Sequence, residues 1–485
     1  MPTLRALRLL NAVESGSVVG TQLQTFLNDT GRAAEFSSLL SSRGQSRRMA
    51  GSALTMTAIA ASLNAANIVF KAATASTSAA CQGVVASPIA MAAVAASIPS
   101  LNVLVANPVS WGLFNQSSYY EPNIKTIVAN YAGVTPANYA SIDAMVADSV
   151  SMAAIAAAPN AMSAVVASAN TTTLMAASSA AMALVASNSV AIDTVAKQTS
   201  IMGIVAGSSV AMTEINSRST AVAKMAFYPG AITAISNSST AWASYQAGPY
   251  FATNLPVVVA NLIGVSTVTY PTLTSIIADA TALAKVAANK AAVQALASNS
   301  AAMDTLAVSA NISIILGSTI AMGVIGPNST AMTSFLNASG AWAGLFSSSV
   351  AKGYIVASSA LVNIIAANTA LITYLNTIAV KNVSATGIPD GNPTSLQAFV
   401  ASPTLPAKLI TLSAKEVGIA ATYSNYNFGG SAMTGSQAGA TLSLSGTGAG
   451  GQPTHIAGYT GMTWNFQGPG ITAATLPIIT YVDMT

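Results

Sequence analysis

A ten-residue repeat constrains this chain more than any other feature. Written in rows of ten from Ser151 to Tyr250, the sequence returns to a pattern close to A-M-x-x-V-A-x-S-S-x. The second position holds Met152, Met162, Met182, Ile192, Met202, Met212 and Trp242, and the fifth holds Ile155, Val165, Val185, Val195, Val205, Ile215 and Tyr245. The same phase reappears at Met322/Ile325, Met332/Phe335, Trp342/Leu345, Val362/Ile365 and Ile372/Leu375. Apolar residues three apart, flanked by Ala, fit one face of a helix rather than the alternation of a strand. One continuous helix is excluded. Ten residues turn through about 1000°, roughly 80° short of three turns, so the apolar stripe would wind rapidly round the axis.

The ninth position supplies a break. Ser179, Ser189, Thr199, Ser209, Ser219 and Ser239 stand there, with Pro at 159, 229 and 249. Hydroxyl residues are preferred N-caps, and Pro is tolerated at a helix start. Each decad is therefore predicted as one short helix, roughly 10–12 Å long, followed by a corner. Helices this short persist only by stacking their Met/Val face on neighbours. The predicted fold is mainly α, a solenoid of short helices, with the second and fifth columns buried throughout. Two or three decads per coil both fit the pattern, and a β-solenoid is the alternative.

Composition matters for what such a stack exposes. Charged residues make up 6% of the chain and hydrophobic residues 52%, against roughly 25% charged in an ordinary domain. No charge falls between Asp148 and Asp193, nor between Lys224 and Asp279. A long stack with Ser, Thr, Asn and Ala outside invites association, so a homo-oligomer is expected, a trimer above all. The net charge of +4 rests on few groups and is no nucleic-acid signature. Mean hydropathy is +0.57, yet the best apolar run, Leu361–Val380, contains three Asn and three Thr. It reads as buried turns of the repeat, and no membrane span is expected. Arg5 and Arg8 precede an apolar stretch that Asn11 and Glu14 interrupt, which is not the pattern of a signal peptide.

Four regions are predicted: 1–50, 51–381, 382–395 and 396–485. Residues 1–50 form a helical docking or capping domain in which Leu23, Phe26, Leu27 and Phe36 mark amphipathic helices. Its basic residues Arg43, Arg47 and Arg48 are candidates for gripping an acidic partner, with a solvated basic turn as the plainer reading. Residues 51–381 are the repeat shaft. Within it, 111–148 and 242–279 are duplicated at an offset of 131, pairing Trp111 with Trp242, Phe114 with Tyr245, Tyr139 with Tyr270 and Asp148 with Asp279. These aromatic inserts read either as knobs that touch a partner or as local caps between stacks. Residues 382–395 carry Pro-Asp-Gly and Asn-Pro turn signals and read as a linker. Residues 396–485 become Gly-rich and aromatic and are predicted as a small β domain. There Tyr423, Tyr426, Tyr459 and Trp464 are candidates for a binding tip, or simply its core.

No catalytic set is assembled. His455 is the only histidine and Cys81 the only cysteine, so neither a multi-His metal site nor an intrachain disulfide can form. The run GTGAGG at 446–451 lacks the Lys and Ser/Thr of a phosphate-binding loop. Asp148 and Asp279 each precede a helical decad and are expected to cap it. No enzyme activity, cofactor or metal is expected.

Tandem S-x-A-M-x-x-V-A-x-S arrays, as at Ser209-Val-Ala-Met-Thr-Glu-Ile and Ser329-Thr-Ala-Met-Thr-Ser-Phe, resemble those of phage-encoded virion proteins of tail, neck or head fibres. The opening GTQLQTFLNDTGRAAEFSSLL followed by RRMAGSALTMTAIAAS is similar to the start of such proteins. The resemblance covers roughly residues 15–380 and concerns packing, so no functional residue carries over. It implies a fibre or appendage located in the virion, oligomeric and often trimeric, anchored by its N-terminal region to other virion proteins. A host-surface adhesin acting through the C-terminal domain on a receptor or glycan is the alternative. An ice-binding solenoid is a weaker one, because the hydroxyl column is Ser-rich and broken by Pro.

Overall fold

In the computed structural model the described residues run through 20–32, 43–71 and 79–383, with a few further positions before 43, and through strand segments between 397 and 484. The chain is mainly helical. From Ser149 to Ala247 each decad is one helix of eight or nine residues. Successive helices meet at corners of 104° and 102° in the two pairs Ser149–Ala157 with Pro159–Val166 and Ser179–Ser187 with Ser189–Lys197. Most of these corners are a single residue in extended conformation, such as Ser178 at φ −98°, ψ 114°, while after the eight-residue helices an αR residue, Ala167 or Ser217, precedes it.

The cap falls one position earlier than the sequence suggests. Ser168, Ser178, Asn188, Ser208 and Ser238, all in the eighth column, accept a hydrogen bond from the backbone N–H three residues on. The ninth-column Ser, Thr or Pro is the first helical residue. The eighth residue can adopt the extended corner geometry while its side chain folds forward over the first turn. Asp148 and Asp279 do cap their helices, accepting from Ser151 and Ala282.

Three helices complete one coil, because each packs against the third one along the chain. Ser149–Ala157 packs on Ser179–Ser187, which packs on Ser209–Asn216, and Pro159–Val166 packs on Ser189–Lys197, which packs on Ser219–Phe227. The order begins early: Gly20–Asn28 packs on Ala53–Ala61, and Arg43–Ala50 on Ala79–Val85. Columns two and five are buried from Met152 to Tyr245. Ala in the first and sixth columns is buried as well, as at Ala181, Ala186, Ala191 and Ala196. The core is therefore a four-residue stripe, with small side chains where helices approach most closely.

The phase of the stripe moves with each insert. Before the first, the buried pairs are Met91/Val94 and Leu101/Leu104. After it they are Met152/Ile155 and onward, and after the second Leu283/Val286, Val293/Leu296 and Met303/Leu306. A slip at the turn before Ile312 restores the earlier phase at Ile312/Ile315. The last helix departs slightly: Leu371 and Leu375 are buried, whereas Ile372 is only half-buried.

The cap residues also join the coils. Ser208 Oγ accepts from Ala211 N at 3.2 Å and donates to the Ala176 carbonyl, one coil back, at 2.5 Å. Asn328 divides the same two tasks between its amide atoms, accepting from Ala331 N and donating to Ala297 O, both at 3.1 Å. Ser318, Ser348, Asn289 and Asn368 repeat the arrangement. Short helices leave many orphan N–H and C=O groups at their ends. At these corners one uncharged side chain satisfies a donor of its own helix and an acceptor of the helix beneath.

Two compact units divide the chain, Met1–Asn254 and Leu255–Thr485. In the first, Trp111, Phe114 and Tyr120 form an aromatic triad with ring centroids 5.8–6.1 Å apart, and Trp242, Tyr245 and Phe251 form a second at 5.7–6.1 Å. Tyr120 donates to Ala164 O at 2.8 Å and Tyr245 to Val222 O at 3.0 Å. Burial pushes both phenols well above their ordinary pKa. Apart from Trp111, which is half-buried, these rings lie in the core, which favours the reading of the inserts as local caps between stacks. In each insert the long helix, Tyr120–Ala132 or Phe251–Leu262, gives way to a left-handed glycine, Gly133 at φ 70° and Gly264 at φ 65°. Val134 N then reaches Ala129 O, and Val265 N reaches Ala260 O, both at 2.9 Å, the bond that closes a helix over such a glycine.

In the second unit, Thr369–Ile378 is followed by the strand Val380–Val383, so the predicted linker begins inside a strand; the residues after Val383 up to 396 lie outside the described residues. Val380–Val383 pairs antiparallel with Leu476–Asp483, which also pairs with Lys408–Val417. Val482 and Met484 are buried, and Lys352 Nζ donates to the Asp483 carbonyl at 3.2 Å. This strand is thereby fastened to the helix Ser349–Val356.

Candidate functional site

The stack presents few charges, and two groups of them bridge successive coils. Asp193 lies on Ser189–Lys197 and receives three partners: Lys197 Nζ at 2.6 Å, Lys224 Nζ at 2.7 Å and the Tyr228 hydroxyl at 2.8 Å. Lys224 and Tyr228 come from the next coil, where the helix Ser219–Phe227 and its following corner place them over Asp193. Lys197 also sits 5.7 Å from the Tyr228 ring centroid. Glu214 repeats the theme. It accepts from Ser179 Oγ, one coil back, at 2.7 Å and pairs with Arg218 at 3.3 Å. The Asp193 carboxylate is satisfied within the protein, and Glu214 joins two coils while leaving Arg218 Nε buried without a partner, so both clusters act as clamps between coils.

Partial burial alone would raise the Asp193 pKa. The hydrogen bonds from Lys197, Lys224 and Tyr228, together with the Lys197 charge, outweigh it and hold the carboxyl at about 2. An unfolded Asp titrates near ~3.9. A depressed folded pKa gives stability that is complete above about pH 4 and disappears as pH falls through about 2. Asp193→Asn is expected to remove roughly 1–2 kcal/mol at pH 7, after discounting for the partly exposed lysines. The gap between wild type and variant should close between pH 4 and 2 when urea midpoints are followed by circular dichroism. A constant gap over that range would contradict the clamp.

Of the predicted docking residues, Arg48 is engaged: its Nε donates to Glu14 Oε2 at 2.7 Å and its Nη2 contacts Asn11 and the same carboxylate. Arg47 on the same helix, Arg43–Ala50, is exposed. Arg43 is the helix's first residue, and its side chain lies outside the described residues. Both arginines are exposed on this helix, and Arg48 differs from Arg47 in being held by Glu14 and Asn11. Tyr423, Tyr426, Tyr459 and Trp464 fall on strands, Trp464 and Tyr426 on adjacent ones, and their side chains lie outside the described residues.

Among the described residues no group of three or more His, Cys, Asp and Glu could hold a metal. Likewise, no single helix among them is long and apolar enough to cross a membrane. Cys81 is buried, and burial pushes its thiol up to about 11 despite a hydrogen bond with Ser110. The thiolate that nucleophilic chemistry requires is therefore suppressed. The cap-to-carbonyl bonds were hidden from sequence reading, because they need the coil number before partners about 31 residues apart can be matched. No protein family matches the chain, and no curated protein matches its sequence.

Proposed function

We propose that the protein is a structural component of a phage virion, a fibre or appendage attached through its N-terminal region and assembled as a homo-oligomer. One observation carries this reading. The coils are held by uncharged caps and by internal ion pairs, so little charge is left to keep the outer surface dispersed. Val150, Val190 and Ile320 stand exposed on that surface beside Ser, Thr and Ala. A surface of this kind suits a protein covered by copies of itself or by a particle. The outward Arg47, on a helix at the charge-rich end, suits docking to an acidic partner. The strands beyond residue 396 would then form a Gly-rich β tip, the part a receptor-binding role would use.

The test is mass spectrometry and antibody-labelled electron microscopy of purified particles of the encoding phage. The chain is expected in the particle at a copy number that is a multiple of three, and particles made with residues 1–50 deleted are expected to lack it. Light scattering of the recombinant chain should give a defined multimer. Particles without the chain, or a monodisperse soluble monomer, would overturn the proposal.

A further inference from the structure

A groove of about 450 Å³ opens in the second unit across three stacked helices, Ser300–Ala307, Ser329–Asn337 and Ser359–Ala367. Its lining follows the helical spacing of four residues. The first helix supplies its first and fifth residues, Ser300 and Asp304. The middle helix supplies the equivalent Ser329 and Thr333, with Asn337 one turn further. Beside these run its second and sixth residues, Thr330 and Ser334. The third helix closes the groove with its own second and sixth residues, Ala360 and Ile364. One edge therefore carries a carboxylate, the middle carries hydroxyls and an amide, and the far edge carries only aliphatic carbon.

Ser334 singles this groove out. It is 9% exposed, yet its hydroxyl has no hydrogen-bond partner among the described residues, whereas the adjacent Thr333 hydroxyl donates to Ser329 O at 2.7 Å. The side chain lines the groove, so its hydroxyl is open to the groove and a ligand oxygen can bond it there. Asp304 likewise forms no ion pair among the described residues, unlike Asp193 and Glu214. No Lys, Arg or His lines the groove, so nothing there would neutralise an anion. One carboxylate among neutral oxygens falls short of the coordination a calcium ion needs.

We propose that this groove binds carbohydrate, a pyranose unit of a glycan. The sugar's hydroxyl rim would face Asp304 and Ser334, and its C–H face would lie on Ala360 and Ile364. A carboxylate accepts from vicinal hydroxyls with charge-assisted bonds, and a pyranose is the small neutral molecule that pairs a dense hydroxyl rim with an apolar face. The volume lies within the range of small-molecule sites, about 300–1,000 Å³.

The test uses the full chain and saturation-transfer NMR with methyl α-D-glucopyranoside, methyl α-D-mannopyranoside, methyl α-D-galactopyranoside and N-acetylglucosamine. Each is supplied at about 10 mM, well above a Kd of ~1 mM. At least one sugar should receive transfer, strongest on its C–H face. Asp304→Asn should weaken it about tenfold, and Thr330→Arg should abolish it. Asp304 and Thr330 are both exposed, so thermal unfolding should be unchanged in both variants. No transfer to any of the four sugars would overturn the proposal. So would transfer that survives both substitutions, or calcium chloride binding in place of sugar.

Discussion

Val205→Asp lowers the stability of the first unit by roughly 4 kcal/mol at pH 7, the expected result of placing an unpaired charge in the stacked core. Val205 is 0% exposed on the helix Thr199–Gly207 and has no polar neighbour of opposite charge on its stripe. Burial raises the pKa of an introduced carboxyl above its unfolded value, so the damage grows as pH rises and shrinks towards pH 4. Val205→Ala, which leaves a cavity without a charge, should cost about 2 kcal/mol and show no such pH dependence. Urea unfolding at pH 7 and pH 4 separates the two. If Val205→Asp matched the wild type at pH 7, the stripe would not be the core.

The second large effect lies at the corners. Asn328→Ala is expected to cost about 2–3 kcal/mol, because two losses coincide. The first turn of Ser329–Asn337 loses its cap, worth ~1 kcal/mol, and the Ala297 carbonyl is left without its donor, worth ~1–3 kcal/mol. Asn328→Asp separates them, since a carboxylate keeps the cap and loses the donor. It should fall between wild type and Ala in thermal unfolding. Equal stability of the Asp and wild-type proteins would mean that the bond to the coil beneath contributes nothing.

The helical solenoid was legible because Met202, Val205 and their counterparts repeat at a spacing only a helix face explains. The corner was legible in kind but displaced by one residue, because Ser-Ser and Asn-Ser pairs offer two hydroxyl or amide side chains and propensity does not choose between them. Geometry chooses: Ser178 or Asn188 must be extended for the chain to turn, so the residue after it begins the helix. The coil number was not legible, since two and three decads bury the same columns. The aromatic inserts were legible as a duplication, but Trp111 and Trp242 gave no sign of facing inward until Tyr120 and Phe251 were seen to complete their triads. The carbohydrate groove was beyond reach for a related reason. Asp304 and Ser334 belong to different decads, and only the stacking order sets them side by side.

A coil that closes after three helices gives gene-level change two distinct outcomes. Gain or loss of thirty residues within one unit adds or removes a whole turn, and every downstream side chain keeps its compass bearing. Gain or loss of ten moves all later helices to the next side of the coil and reassigns which residues look outward together. A single-residue loss, such as the slip at the turn before Ile312, is absorbed locally at a corner and alters neither. Lengthening and re-aiming are therefore separable edits in this architecture, and a lineage could adjust reach without disturbing a surface it has already tuned.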